Sequence, residues 1–301
     1  MDWTVYWFML PVCVGIASVA MFSGISGAAM LMPLFLLGFP LLDVPPIGTV
    51  AAIGMSLFLE TSGFGTGLYR YLRRGLVDTV AAQRLVVVSI PTGMLGAVIA
   101  QAAPTDALRL GYGAAMVGLA ALLMREPSGY GAQKTIARGG GGPDRPCRDD
   151  EEQRVIETAD GEVYRFCARG IGLQRVLSGG GGLVAGLIST GVGEATLPAL
   201  VRRSGYPVPV AAATSTVVVA GTVAGAAVTH IVQLAIEGGF AAIPWNLLVW
   251  AVPGAVVGAL VGTWLQGRVP ERATRLFFSG LFLIIGVTFL LAFTVFRDTF
   301  S

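Results

Sequence analysis

Charge is what this sequence has least of. Asp, Glu, Lys and Arg make up 13% of its 301 residues, against the ~25% typical of soluble domains. Of these 38 charges, 18 crowd into residues 125–175, so the other 250 positions share 20. A water-soluble fold needs charge over its whole surface, and outside that one segment it is missing. Histidine occurs once and cysteine three times, as Cys13, Cys147 and Cys167. They are too few and too scattered for a zinc site or a disulfide framework. A net charge of +2 without a long basic run excludes a nucleic-acid partner. Enzyme signatures are missing too: there is no His-Glu-x-x-His pair and no Gly-x-Ser-x-Gly elbow. The glycine run 179–182 lacks the Gly-Lys-Ser/Thr ending of a phosphate loop, so ATP is not the expected energy source. No metal, cofactor or catalytic residue is expected. Asp2 without an early Lys or Arg does not read as the start of a cleaved signal peptide.

What fills the space is apolar. The AVILMFWYC set is 54%, and there are 42 glycines besides. Apolar runs cover residues 5–39, 46–69, 85–101, 108–124, 176–201, 209–236, 243–265 and 274–296. They approach or exceed the ~18–20 residues that cross a ~30 Å hydrocarbon layer as helix. Barrel strands would alternate apolar and polar residues, whereas 85–100 and 276–296 are almost continuously apolar. The expected fold is an all-α polytopic membrane protein in a lipid bilayer.

The runs repeat. Pro91-Thr-Gly-Met-Leu-Gly96-Ala97 matches Pro253-Gly-Ala-Val-Val-Gly258-Ala259 at an offset of 162. Pro104-Thr-Asp-Ala107-Leu-Arg109-Leu110 matches Pro270-Glu-Arg-Ala273-Thr-Arg275-Leu276 at 166. Gly27 and Pro33 align with Gly193 and Pro198 at 166 and 165. The chain therefore divides into a first transmembrane repeat (1–124), a loop (125–175) and a second repeat (176–301). In the first half the connection near Arg70, Arg73, Arg74 and Arg84 is basic, while 41–45 and 102–107 hold only acids. In the second, Arg202, Arg203, Arg268 and Arg272 mark the basic connections, and 237–242 has no positive charge. Short basic loops stay cytoplasmic, so their exchange between halves implies inverted repeats. Each half would then hold a broken, re-entrant helical hairpin plus three transmembrane helices. Both termini would lie outside and residues 125–175 in the cytoplasm.

Each repeat opens on a run with a break, at Ser23-Gly24-Ile25-Ser26-Gly27 and at Thr190-Gly191-Val192-Gly193. Irregular backbone at membrane depth must be buried in protein or line a wet cavity. Two such breaks in corresponding positions point to a substrate site near the midplane. Helix N-termini offer free N–H groups and partial positive charge, and glycine allows close approach, which suits an anion. The residues singled out are Ser23, Gly24, Ser26 and Gly27 at the first break and Ser189, Thr190, Gly191 and Gly193 at the second. Thr49, Thr214 and Ser215 add hydroxyls near the start of the following helices. For any one Gly or Ser alone, close helix packing is the competing explanation.

An acid at a transmembrane helix centre costs ~2.5–3.5 kcal/mol and is a functional hypothesis by default. Glu60, Glu194 and His230 are the proton-coupling candidates. Glu194 serves equally as a helix cap, Glu60 as a structural hydrogen-bond partner, and His230 as a structural histidine. Arg109 and Arg275 hold equivalent repeat positions, suited to snorkelling or to contact with an anion.

The Gly24-Ile-Ser-Gly27 pattern with Pro33, repeated as Gly191-Val-Gly193 with Pro198 and then Ala213-Thr214-Ser215, resembles the sulfite exporter TauE/SafE family, also called TSUP. The resemblance implies a secondary transporter that exports a small sulfur-containing anion, such as sulfite, a sulfonate or thiosulfate, across the cell membrane. It covers both transmembrane halves and not the loop. The first copy has Ala28-Ala29 where the second has Glu194, so the half-sites differ chemically. A passive anion channel and a membrane scaffold or partner subunit are the rivals, and a homo-oligomer is left open.

In the loop, Asp160-Gly161 between two β-compatible runs, 155–159 and 162–166, signals a type I′ hairpin. A lone hairpin is marginal in water, so it is expected to pack on the membrane domain or a partner. Cys147 and Cys167 flank it and are able to meet, but a stable disulfide is not expected in a reducing cytoplasm.

Overall fold

The computed structural model describes residues 3–23, 26–125, 147–149, 151–170, 172–265 and 271–294, with backbone alone at 22, 23, 125 and 271–275. The first half holds α1 (Met9–Ser23), α2 (Ala28–Pro33), a π-helical turn (Leu34–Gly38), α3 (Phe39–Leu41), α4 (Thr49–Arg73), α5 (Thr79–Ala102) and α6 (Thr105–Arg125). A hairpin of β1 (Glu151–Glu157) and β2 (Val163–Arg169) follows. The second half holds α7 (Gly172–Ile188), α8 (Val192–Arg202), α9 (Val208–Gly238), α10 (Trp245–Leu265) and α11 (Glu271–Thr294). Helices α5, α6, α9, α10 and α11 are long and apolar enough to cross a membrane, and the chain is an all-α polytopic membrane protein. At 1.5 Å per residue, α7 with 17 residues and α8 with 11 reach roughly 25 and 16 Å, each short of a ~30 Å crossing. Pro33 lacks an amide hydrogen, and the helix widens into its π turn immediately after it.

Small residues set the packing. Helix α1 lies along α10, where Gly254, Gly258 and Gly262 face the carbonyls of Leu10, Val14 and Ser18. The Ser18 hydroxyl donates to the Gly258 carbonyl at 3.0 Å. Helix α7 lies along α5 in the same manner, with Gly182, Gly186 and Gly96 against the carbonyls of Ser89, Gly93 and Leu183. In both pairs the residue numbers rise together, so the partners run parallel. Between α6 and α11 they run oppositely: Arg109 sits over Phe293, 4.6 Å from its ring centre, and Tyr112 packs on Phe289 at 4.7 Å. Helix α4 runs with α10, Gly63 near Ala255 and Arg70 donating to Thr263.

The hairpin docks on the connections at one end of the bundle. The Ala159 amide donates to the Arg74 carbonyl at 3.0 Å and the Arg169 amide to the Ser204 carbonyl at 3.2 Å. Asp78 is the centre of the contact. It caps α5 by accepting from Ala81 N–H at 3.0 Å, and it accepts from the Tyr206 hydroxyl at 2.8 Å. Arg154 of β1 stands 3.8 Å from its carboxylate. Burial, followed by the Asp78 charge, pushes the Tyr206 hydroxyl above its ordinary pKa and keeps it a donor. Asp78→Asn is expected to cost about 2 kcal/mol, since it weakens a cap and a charged hydrogen bond together. Faster protease cleavage between 151 and 170 would register it; unchanged cleavage would remove Asp78 from the docking.

Two loop expectations are corrected. The strands are joined by five residues, 158–162, with Glu157 opposite Val163, and not by a two-residue type I′ turn. The Thr158 carbonyl accepts from Gly161 N–H at 3.0 Å and its hydroxyl from Glu162 N–H at 3.0 Å, which stabilises the wider loop. Cys147 and Cys167 form a disulfide, with Cα atoms 5.6 Å apart. The expectation weighed only the compartment. The hairpin brings Cys167, opposite Gln153 of β1, back to the chain just ahead of β1.

Candidate functional site

The second break forms because the backbone leaves the helical region at small residues. Ser189 holds a positive φ of 59° and Gly191 one of 122°, and α8 starts at once. A non-glycine residue at positive φ is strained, and such strain concentrates at functional positions. In the first, α1 ends at Ser23 and Gly27 precedes α2; Gly24 and Ile25 lie outside the described residues, as does the side chain of Ser23.

The two breaks meet through a pair of acids. Glu194 reaches back to its own helix start, accepting from Gly191 N–H at 3.2 Å, as a glutamate in the first helical turn does. Its other oxygen accepts from Ser26 N–H, in the first half of the chain, at 3.4 Å. Glu60, on α4, accepts from Gly27 N–H at 3.1 Å and is buried. The Ser26 hydroxyl lies beside Glu60 without hydrogen-bond geometry. The N–H groups that a helix end offers to an anion therefore hold the protein's own carboxylates.

Next to this junction, the hydroxyls of Ser189 and Thr190 are buried and have no hydrogen-bond partner. Most buried polar groups in folded proteins are paired, so two adjacent orphans call for an explanation. His230 of α9 reaches the last turn of α7 before this break: its Nε2–H donates to the Gly186 carbonyl at 2.9 Å, and Nδ1 is unpartnered. Gly193 sits at the start of α8, packed on Val219.

The remaining hydroxyl candidates point elsewhere. Thr49 accepts from Arg109 Nε at 2.9 Å, and Thr214 accepts from the Asp78 amide at 3.1 Å. Ser215 bonds the Ala212 carbonyl of its own helix at 3.0 Å. Arg109, tied to Thr49 and Phe293, joins helix ends. The side chain of Arg275 is outside the described residues.

One part of the site had no sequence signal. A narrow cleft opens beside Gly27 and Glu60, lined by Cys13, Met21, Leu31 and Phe64 among others. Its walls come from α1, α2, α4 and α10, and only their packing brings these apolar side chains together. Neither the curated proteins nor the solved structures compared with the chain give a match. The family model for the sulfite exporter TauE/SafE matches residues 9–289, nearly the whole length, and the chain belongs to that family of membrane transporters of sulfur-containing anions.

Proposed function

We propose that this protein is a secondary carrier that exports a small sulfur-containing oxyanion, of the sulfite, sulfonate or thiosulfate class, through a site where the two broken helices meet. The observation that carries this reading is the pair of buried, unpartnered hydroxyls, Ser189 and Thr190, beside backbone N–H groups occupied by Glu60 and Glu194. An oxyanion supplies the acceptors that the hydroxyls lack, and it competes with the two carboxylates for the N–H donors. Protonation weakens a carboxyl group as an acceptor and frees those donors, which couples the anion to a proton.

The two halves act as inverted copies that alternate access around this site. Support comes from helix direction. Corresponding helices α6 and α11 run antiparallel, α1 runs with α10, and α7 runs with α5. Arg74 and Ser204, which hold the hairpin, sit among the basic connections. By the positive-inside rule that face is cytoplasmic and both termini lie outside.

The test is counterflow of radiolabelled sulfite, thiosulfate and a sulfonate in liposomes holding the purified protein, with and without a pH gradient. Accumulation of one of them, accelerated by the gradient, is expected; a flux with no counterflow would indicate a channel, and none at all would overturn the carrier. Thr190→Val is expected to weaken anion binding roughly 10–150-fold, the worth of a charged hydrogen bond. Thermal stability should hold or rise, because an orphaned buried hydroxyl is removed. Unchanged affinity would assign Thr190 to packing.

A further inference from the structure

Cys167 lies on β2 between Arg165 and Arg169, on the strand face opposite the buried Phe166 and Ala168. Its disulfide partner Cys147 precedes Arg148. Three guanidinium-bearing residues thus flank one disulfide, and neither cysteine is fully buried. Glu151 offsets part of that charge, accepting from Arg169 Nε at 3.3 Å and from the Arg148 amide at 3.2 Å. The same strand carries the hairpin's tie to the second half: the Arg169 amide bonds the Ser204 carbonyl, and a methyl on Gly205 would meet the Cys167 carbonyl oxygen at 3.2 Å. On the cytoplasmic orientation given above, a purely structural disulfide would be out of place. Those found in reducing compartments are usually transient or redox-responsive.

We propose that the Cys147–Cys167 disulfide is a covalent reaction site for sulfite. The lone pair on the sulfite sulfur attacks Cys147 Sγ and forms a new S–S bond. The bond to Cys167 breaks, and its electron pair leaves on Cys167 Sγ as a thiolate flanked by Arg165 and Arg169. The products are S-sulfocysteine at 147 and a thiolate at 167, which takes a proton from water. The disulfide supplies the oxidising equivalents, so no other oxidant or reductant is needed. Basic surroundings draw in the dianion and favour departure of the thiolate they stabilise, which selects Cys147 as the sulfur attacked. Opening the bond releases the segment ahead of β1 from the strand that holds the α8–α9 connection. A hairpin on the transporter's basic face then responds to the concentration of a sulfur nucleophile.

The test uses the purified full chain in detergent, incubated with sodium sulfite, or with sodium sulfate as control, then quenched in acid and mapped by peptide mass spectrometry. Loss of the disulfide-linked peptide, an SO₃ adduct on Cys147 and a free thiol on Cys167 are expected with sulfite alone. Cys167→Ser should form no adduct. The inference is overturned if the disulfide survives sulfite that cleaves oxidised glutathione in the same tube. It is overturned equally if immediate alkylation of native membranes finds both cysteines as thiols, or if the adduct forms mainly on Cys167. No transport enters the readout. A chain that moves no anion but forms the adduct leaves this inference standing, and an active carrier that forms none contradicts it.

Discussion

Glu194→Gln is expected to abolish the acceleration of anion flux by a pH gradient while leaving the chain folded. Among the described residues, Glu194 is the one side chain that bonds backbone at both breaks, at Gly191 and at Ser26 of the other half of the chain. The amide oxygen of glutamine still accepts one of these N–H groups, but its NH₂ meets the other donor to donor. Replacing a charged hydrogen bond at this site is worth about 1.5–3 kcal/mol, roughly 10–150-fold in an equilibrium constant. Gradient-driven uptake in proteoliposomes should fall by that factor, toward the rate without a gradient, while exchange at equal pH persists. A variant whose flux still follows the gradient as the parent's does would remove Glu194 from the coupling. Glu60, which holds the neighbouring Gly27 amide, then remains the candidate.

The second large effect is on stability. A methyl group on Gly186 would lie 2.0 Å from the Gly93 carbonyl oxygen and 2.7 Å from the Ala97 nitrogen. Those atoms are backbone and do not swing aside, so Gly186→Ala forces α5 and α7 apart. Overpacking of this kind costs about 3 kcal/mol, or roughly 5–10 °C in melting temperature for a chain of this size. Six residues earlier on the same helix, a methyl on Gly180 would meet nothing within 4 Å. Gly180→Ala should be neutral or gain up to about 1 kcal/mol from helix propensity. Equal melting temperatures for the two variants would mean that α5 and α7 are not in the close parallel contact described.

Much of the fold is legible in the sequence because the bilayer demands long apolar runs. The run 85–101 became α5 and the run 243–265 became α10, with ends shifted only where a cap such as Asp78 lies outside the apolar stretch. The glycine breaks were legible as well, since Gly191 needs a backbone that other residues rarely adopt. What sequence could not supply is contact between distant segments. Nothing in the order of residues says that Glu194 crosses to Ser26, or that Thr49 is taken by Arg109 and Thr214 by Asp78. Those hydroxyls looked available only because their partners lie 60 and 136 positions away. The cleft beside Gly27 was hidden for the same reason, whereas the meeting of Cys147 and Cys167 was legible and their bond was set aside on the compartment alone.

The most direct measurement is a density map of the protein at saturating thiosulfate. It should show the anion at the junction of the breaks, within hydrogen-bonding distance of the Ser189 and Thr190 hydroxyls, with Glu60 withdrawn from the Gly27 amide. Anion density elsewhere in the bundle, with both carboxylates still seated on the helix ends, would contradict the account.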